Sequence, residues 1–154
     1  MKTDIMIAMP DGDARAFVFT PDAGSGPWPV ILFYMDGPAI RPALFEMGER
    51  MAAAGYFVLL PDMFWRLGPY PPIDLAVAFG SPEGRQMFRE TYFSSTDPVR
   101  AMADTGVVLD WLAQQPQARP GALGVTGYCM GGGFALRSAA AYPEQIVAAA
   151  SFHP

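Results

Sequence analysis

The only cysteine of the chain, Cys129, stands between glycines in the segment Gly127–Gly133, which reads GYCMGGG. Glycines two positions before and two positions after it form the G-x-S-x-G nucleophile-elbow pattern, with cysteine in place of serine. A sharp turn from strand to helix strains the backbone of its apex residue and needs small residues at those two positions. Apolar residues precede the segment and an alanine-rich stretch follows it. The pattern therefore predicts that Cys129 is a nucleophile.

The same turn predicts how the thiol and its product would be stabilised. A sulfur atom above the start of a helix is favoured as thiolate by the helix dipole and the free N–H groups of the first turn. The N–H of Met130 can donate to a developing oxyanion. A second donor is expected from the loop after an early strand, where Gly37 is the candidate.

Two other interpretations of these residues are open to test. Free cysteines are commonly small buried hydrophobes, so Cys129 could belong to the core. Glycine-rich turns also bind phosphates, but the chain has no G-x-x-x-x-G-K-[ST] segment, and Leu136 stands where G-x-G-x-x-G needs its last glycine. A phosphate or dinucleotide loop is therefore not favoured.

Strand-like and helix-like segments alternate through the chain. Asp11-Gly12 predicts a hairpin, and the predicted strands and helices that follow it are strands at 29–35, 56–61, 121–127 and 146–153 and helices at 41–54, 98–115 and 131–143. Because the later strands are apolar throughout, the pattern is typical of an α/β protein with a mostly parallel sheet covered on both faces. The length of 154 residues fits a single domain, 1–154.

The connection 62–96 is long, aromatic and rich in proline, and a short helix is expected near 82–92. Connections of this length commonly line a site. Ligands of parallel sheets bind at the carboxyl ends of the strands. These ends carry Asp36–Gly37, Asp62–Met63, Cys129 and His153, so four segments are predicted to meet at one rim.

The composition of the chain limits the classes of partner and cofactor that we expect. The net charge is −5 and the ten Lys and Arg residues form no cluster, so neither nucleic acid nor an anionic membrane is an expected partner. A single cysteine and an N-terminus without signal-peptide features predict a cytoplasmic protein. No His, Cys or Asp group has ligand spacing, so no metal or other cofactor is expected.

The segments GYCMGGGFA, VILFYMDGPAIRP and AAAGYFVLLPDMF resemble the dienelactone hydrolase family, whose type activity is carboxymethylenebutenolidase. The resemblance implies an α/β-hydrolase fold, Cys129 as nucleophile and a small lactone or ester as substrate. It also implies that Asp36, standing where the type enzyme has glutamate, contacts the thiol and helps to control its ionisation. Arg85, with Arg89 beside it, is the candidate to hold a substrate carboxylate; Tyr128 and His153 are the other predicted substrate-binding residues.

In this fold the catalytic acid and histidine follow the nucleophile in the chain. Because the sequence stops just after the sixth predicted strand, we expect it to be the N-terminal portion of an enzyme, with both partners beyond residue 154. His153 is then expected to line the pocket rather than to act as the base.

Other roles stay open at this point. Asp36 could simply cap a turn, and Arg85 could be a solvated surface side chain. The whole chain could be a non-catalytic binding module, or Cys129 a redox-sensing thiol, since exposed thiols of low pKa oxidise readily.

Overall fold

A computed structural model describes residues 1–154 and shows a six-stranded sheet with helices on both faces. The strands are β1 (Lys2–Met9), β2 (Gly12–Phe19), β3 (Val30–Tyr34), β4 (Phe57–Pro61), β5 (Leu123–Tyr128) and β6 (Ile146–Phe152). The α-helices are α1 (Pro42–Ala53), α2 (Leu75–Gly80), α3 (Pro82–Thr91), α4 (Pro98–Ala113) and α5 (Met130–Ala141). Two short 3-10 helices span Trp65–Leu67 and Phe93–Ser95.

The strand order is β1-β2-β4-β3-β5-β6. The predicted hairpin is confirmed, with Met9 paired to Gly12 across its turn, and β2 continues antiparallel onto β4. From β4 to β6 every neighbouring pair is parallel. The carboxyl ends of β3, β4, β5 and β6 therefore lie along one rim, as the sequence predicted.

Alternation along the strands divides the core between two faces. Phe17 packs on Phe45 of α1, with ring centroids 4.7 Å apart. Tyr34 faces the opposite side, where its hydroxyl lies 2.7 Å from Oγ1 of Thr105 in α4 and its ring meets Phe134 of α5 edge-on. Because both faces carry helices, the central strands β3 and β4 are almost wholly buried, which explains their unbroken apolar runs.

The predicted elements agree with the structure to within a few residues. The helix predicted from Asp97-Pro98 begins there, and the Asp97 carboxylate accepts hydrogen bonds from the N–H groups of Val99 and Arg100. The short helix expected near 82–92 is α3. The sequence did not predict α2, which Asp74 caps by accepting from Ala76 and Val77, or either 3-10 helix.

The outer strand on the elbow side, β6, is far less covered than the centre of the sheet. Val147 and Phe152 are 67% and 45% exposed, whereas Leu32 in β3 is fully buried. None of the helices combines the length and apolar character needed to cross a bilayer.

Candidate active site

Cys129 occupies the apex of the turn from β5 into α5. Its backbone has φ 51° and ψ −122°, a left-handed φ that few non-glycine residues adopt. The turn is fixed by main-chain hydrogen bonds: the Cys129 N–H donates to the Phe152 carbonyl at 3.0 Å, and the Cys129 carbonyl accepts from the Gly133 N–H at 3.2 Å. Because the Cys129 residue is exposed, the interpretation of its thiol as a core residue is wrong.

At two glycines of the elbow, main-chain atoms occupy the place where a side chain would begin. A Cβ on Gly127 would lie 2.3 Å from the carbonyl carbon and oxygen of Gly131. A Cβ on Gly131 would lie 2.5 Å from the Met35 carbonyl oxygen. The same atom on Gly133 would meet nothing within 4 Å. The strand and helix thus approach each other as closely as the pattern predicted, and Gly131 also brings the end of β3 against the start of α5.

The two predicted oxyanion donors are free to bind. Met130 is the first residue of α5, where N–H groups have no partner inside the helix. Gly37 lies in a turn closed by the Ala39 N–H donating to the Asp36 carbonyl at 3.1 Å, and its own N–H makes none of the backbone hydrogen bonds. Gly131 lies against the carbonyl groups of Tyr34 and Met35, so the turn that starts at Asp36 begins beside the first residues of α5. Neither N–H group is engaged in a main-chain hydrogen bond.

The Asp36 carboxylate is paired with a guanidinium. It accepts from both Nη atoms of Arg41, at 2.7 Å for the Nη2–Oδ2 pair, and only 14% of its side chain is exposed. Arg41 also donates to the Ala39 carbonyl, which links the pair to the turn that carries Gly37. No hydrogen bond joins Asp36 to Cys129. The carboxylate accepts from Arg41 alone, so it reaches the turn only through the bond from Arg41 to the Ala39 carbonyl.

Tyr128 and His153 lie together beside the elbow. The Tyr128 ring stacks on Phe152 at 4.6 Å with planes 12° apart, and the His153 ring is 6.1 Å from it. His153 is exposed, has φ 38°, and forms no ion pair with a carboxylate. Tyr128, Phe152 and His153 thus form an aromatic border beside the elbow. No carboxylate is paired with His153 to orient its ring.

Arg85 is placed on the surface. It lies in α3, exposed, and donates to the Phe79 carbonyl at 2.9 Å. The surrounding depression contains Gln86, Arg89 and Glu90 and no residue of the elbow. The structure thus does not bring Arg85 to Cys129, and a solvated surface arginine describes its position.

The end of β4, which neighbours the end of β3 on the rim, is followed by a buried carboxylate. Asp62 is 7% exposed, accepts from the Tyr70 hydroxyl at 2.8 Å on each oxygen, and accepts from the Phe64 N–H at 2.9 Å. Burial raises the pKa of Asp62, and the hydrogen bonds from Tyr70 and Phe64 oppose that rise. The hydrogen bonds of Asp62 therefore hold the long connection in place, and none of them goes to the thiol.

Sequence reasoning missed two residues beside the predicted donors. Arg41, five positions after Asp36, could have been found as a possible ion-pair partner. Phe93 lies against Gly37, with a ring carbon 3.6 Å from where a Cβ would stand. No local signal distinguishes Phe93 from the other aromatic residues of its segment.

No group of three or more His, Cys, Asp or Glu side chains is arranged to hold a metal ion.

Comparison with known proteins shows which family the chain matches. The model of the dienelactone hydrolase family matches residues 14–154. A carboxymethylenebutenolidase of Rhodococcus opacus is 34% identical over 129 residues, which is 82% of this chain and 44% of that protein. A carboxymethylenebutenolidase of a Pseudomonas species is 31% identical over 129 residues, or 84% of this chain and 51% of that protein.

The solved structures give the same fold. A dienelactone hydrolase from Anabaena variabilis superposes with a TM-score of 0.67 at 21% identity, covering 98% of this chain and 62% of that one. The chain thus spans about half the length of the curated relatives it matches.

Proposed function

Because the chain belongs to the dienelactone hydrolase family, we propose that it carries the nucleophilic half of a lactone or carboxylic ester hydrolase. One observation carries the proposal: an exposed thiol at a left-handed apex, with no room for a side chain at Gly127 or Gly131. Strained backbone conformations of this kind cluster at functional sites.

In the proposed acylation step, the Sγ thiolate of Cys129 attacks the carbonyl carbon. The C–S bond forms as the carbonyl π electrons move to oxygen, which becomes an oxyanion. The N–H groups of Met130 and Gly37 donate to that oxyanion, and each such donor is typically worth 10²–10³ in rate. The oxyanion then collapses, the ester C–O bond breaks, and the departing alkoxide takes a proton from solvent water.

The Asp36–Arg41 pair has a supporting part in this proposal. Its carboxylate is bound by Arg41, so we assign Asp36 an electrostatic influence on the thiol and not a proton transfer. Tyr128 and His153 form the border on the β6 side. Hydrolysis of the resulting thioester requires a general base, and His153 lacks the oriented acid that would equip it for this.

The proposal is tested by single-turnover acylation. The protein is mixed with p-nitrophenyl acetate, p-nitrophenolate release is followed, and the intact mass is measured. We expect one acetyl group per chain, located on Cys129 by peptide mapping, and none in Cys129→Ala. Because no other cysteine is present, an unacetylated Cys129 peptide, or equally fast p-nitrophenolate release from Cys129→Ala, would refute the assignment.

Two further outcomes separate the alternatives. An unmodified thiol that is oxidised by dilute peroxide would support the redox-sensing thiol. A thiol inert to both reagents would favour the binding module. The variant His153→Ala serves as a control on the second step alone, since it should leave the lifetime of the acetyl-enzyme unchanged if His153 is not the base.

A further inference from the structure

An aromatic cluster in the long connection reaches the oxyanion turn. Phe64 packs on Tyr92 at 5.4 Å and on Phe93 at 6.3 Å, and Phe88 packs on Tyr92 at 5.0 Å and on Phe93 at 5.2 Å. Tyr70 completes the cluster against Phe64 and Tyr92. We call these five residues the aromatic wall. It connects the end of β4 to the turn that follows β3.

Phe93 is the exposed tip of the wall. Phe64 and Phe88 are 0% and 3% exposed, whereas Phe93 is 37% exposed. Its ring is also the part of the wall in contact with Gly37, at 3.6 Å from an ideal Cβ position there. A buried ring would be explained by packing alone. A ring that is part solvent-facing and part in contact with a proposed oxyanion donor borders the space in which a carbonyl substrate would lie.

The ring is also held in place. Its backbone lies in a 3-10 helix in which Ser95 N–H donates to the Tyr92 carbonyl at 3.1 Å and Thr96 N–H to the Phe93 carbonyl at 3.4 Å. Phe64 and Phe88 pack against the ring from within the wall. Moving the Phe93 ring away would break this packing, so a bulky group cannot displace it at low cost.

We propose that Phe93 determines acyl-group size: it admits small groups on the Gly37 side of the reacting carbonyl and excludes branched ones. For esters this rests on the proposed function. The steric claim itself concerns only access to Cys129, so it can be measured without ester chemistry.

The test uses two alkylating reagents, iodoacetamide and N-tert-butyl-iodoacetamide. In each, the Cys129 thiolate forms an S–C bond as the C–I bond breaks and iodide leaves. The observable is the ratio of the two rate constants, bulky over small. A change in thiol ionisation alters both rates equally and cancels in the ratio. Cys129 is the only cysteine, so the modified mass reports on it alone.

We expect Phe93→Ala to raise the bulky-to-small ratio about tenfold, the lower end of what a pocket that rejects extra methyl groups achieves. The matched control is Phe79→Ala. Phe79 is 45% exposed and packs on Phe88 at 5.2 Å, on the side of the cluster that carries Phe88 rather than at Gly37. This control should keep the ratio of the unmodified protein.

An unchanged ratio in Phe93→Ala, or an equal rise in Phe79→Ala, would overturn the proposal. If Phe93→Ala fails to fold, Phe93→Leu retains apolar packing with less bulk beside Gly37 and should show a smaller rise in the same direction. No rise in Phe93→Leu would then overturn the proposal.

A parallel ester measurement separates this inference from the proposed function. Acylation by p-nitrophenyl acetate and p-nitrophenyl pivalate is compared in the same variants. If neither ester acylates Cys129 while the alkylation ratio still responds to Phe93, the proposed function fails and the steric role stands. If both esters acylate Cys129 and neither ratio responds, the steric role fails and the proposed function stands.

Discussion

The elbow at Gly127–Gly133 and the long connection 62–96 meet the same rim of the sheet but are held there by different forces. At the elbow, main-chain atoms fix the shape: glycines allow the close approach, and no side chain caps the start of α5. In the connection, side chains fix the shape. Tyr70 binds Asp62, and Arg66 binds both Asp104 of α4 and Asp11 of the hairpin. Cys129 is thus positioned by backbone geometry, and its surroundings are held by charge and aromatic packing.

This difference has a functional meaning. An elbow whose shape is fixed by main-chain contacts holds Cys129 in one position and tolerates few substitutions. A loop held by side-chain pairs can exchange those pairs, so it can reshape the space around an unchanged thiol. Within the proposed function, reactivity belongs to the first region and selectivity to the second.

The largest effect is expected at the elbow, from Gly131→Ala. The new Cβ would stand 2.5 Å from the Met35 carbonyl oxygen and 2.6 Å from that of Tyr34. Both atoms are backbone, so β3 must move, and we expect a loss in free energy of unfolding above about 3 kcal/mol, the upper end for overpacking. Urea unfolding measures it. Acetylation of Cys129 should fall as well, since the turn carrying Gly37 would shift with β3.

Its matched control is Gly133→Ala, two residues further into α5. A Cβ there meets nothing within 4 Å, and alanine favours a helix interior by about 1 kcal/mol over glycine. We expect unchanged or slightly increased stability. If both variants behaved alike, the close approach of β3 and α5 would not be what requires glycine at 131.

The same contrast explains what could be predicted from the sequence. The elbow was predictable because backbone sterics restrict a few neighbouring positions to glycine, which leaves a local pattern. The strands β3 and β4 were predictable because burial on both faces leaves continuous apolar runs. Each of these causes acts within a short window of the chain.

The surroundings of the elbow were predicted less well because the contacts that fix them join residues far apart in the chain. Arg66 meets Asp104 across 38 positions, and Phe93 meets Gly37 across the rim. No period or spacing encodes such pairs. The expected thiol contact of Asp36 was inferred from family resemblance, whereas the structure shows Asp36 bound to Arg41, a partner the inference had not considered. Arg85 was likewise assigned from its region alone, and α3 directs it to the Phe79 carbonyl.

An intermediate effect is expected in the charge-held region, from Asp104→Asn. Asp104 has a side chain only 6% exposed, accepts from two nitrogens of Arg66 at 2.6 and 2.8 Å, and accepts from Trp65 Nε1 at 3.1 Å. Its hydrogen bond raises the pKa of the Arg66 guanidinium. Asparagine removes the charge, and we expect a loss of about 1.5–3 kcal/mol in free energy of unfolding, the range for hydrogen bonds to charged groups.

Asp110→Asn in the same helix is the control for that change. Asp110 is exposed, and no ion pair holds its side chain, so its replacement should alter stability by less than about 0.5 kcal/mol. Alkylation of Cys129 by iodoacetamide should stay unchanged in both variants if the two regions are as separate as their contacts indicate. A slower reaction only in Asp104→Asn would show that the connection also positions the thiol.

The smallest effect is expected from Tyr70→Phe, and it depends on pH. Burial holds the folded-state pKa of Asp62 above its unfolded value of about 3.9. The contribution of this group to stability is therefore complete below the unfolded pKa and is lost as pH rises through the folded pKa. Removing the Tyr70 hydroxyl takes away a hydrogen bond that lowers this pKa, so the pKa rises further and the loss grows. We expect Tyr70→Phe to cost about 1–2 kcal/mol at pH 7 and clearly less near pH 3.

Tyr142→Phe distinguishes this effect from the loss of any buried hydroxyl. Tyr142 donates to the Met102 carbonyl at 2.6 Å, a neutral acceptor, so its destabilisation should be the same at both pH values. Urea unfolding of both variants and of Asp62→Asn at each pH provides the comparison. With asparagine at 62, the added Tyr70→Phe change should lose its pH dependence, because no carboxylate remains to ionise. A pH-dependent cost that survived in the double variant would place the titrating group elsewhere and leave the aromatic wall anchored by packing alone.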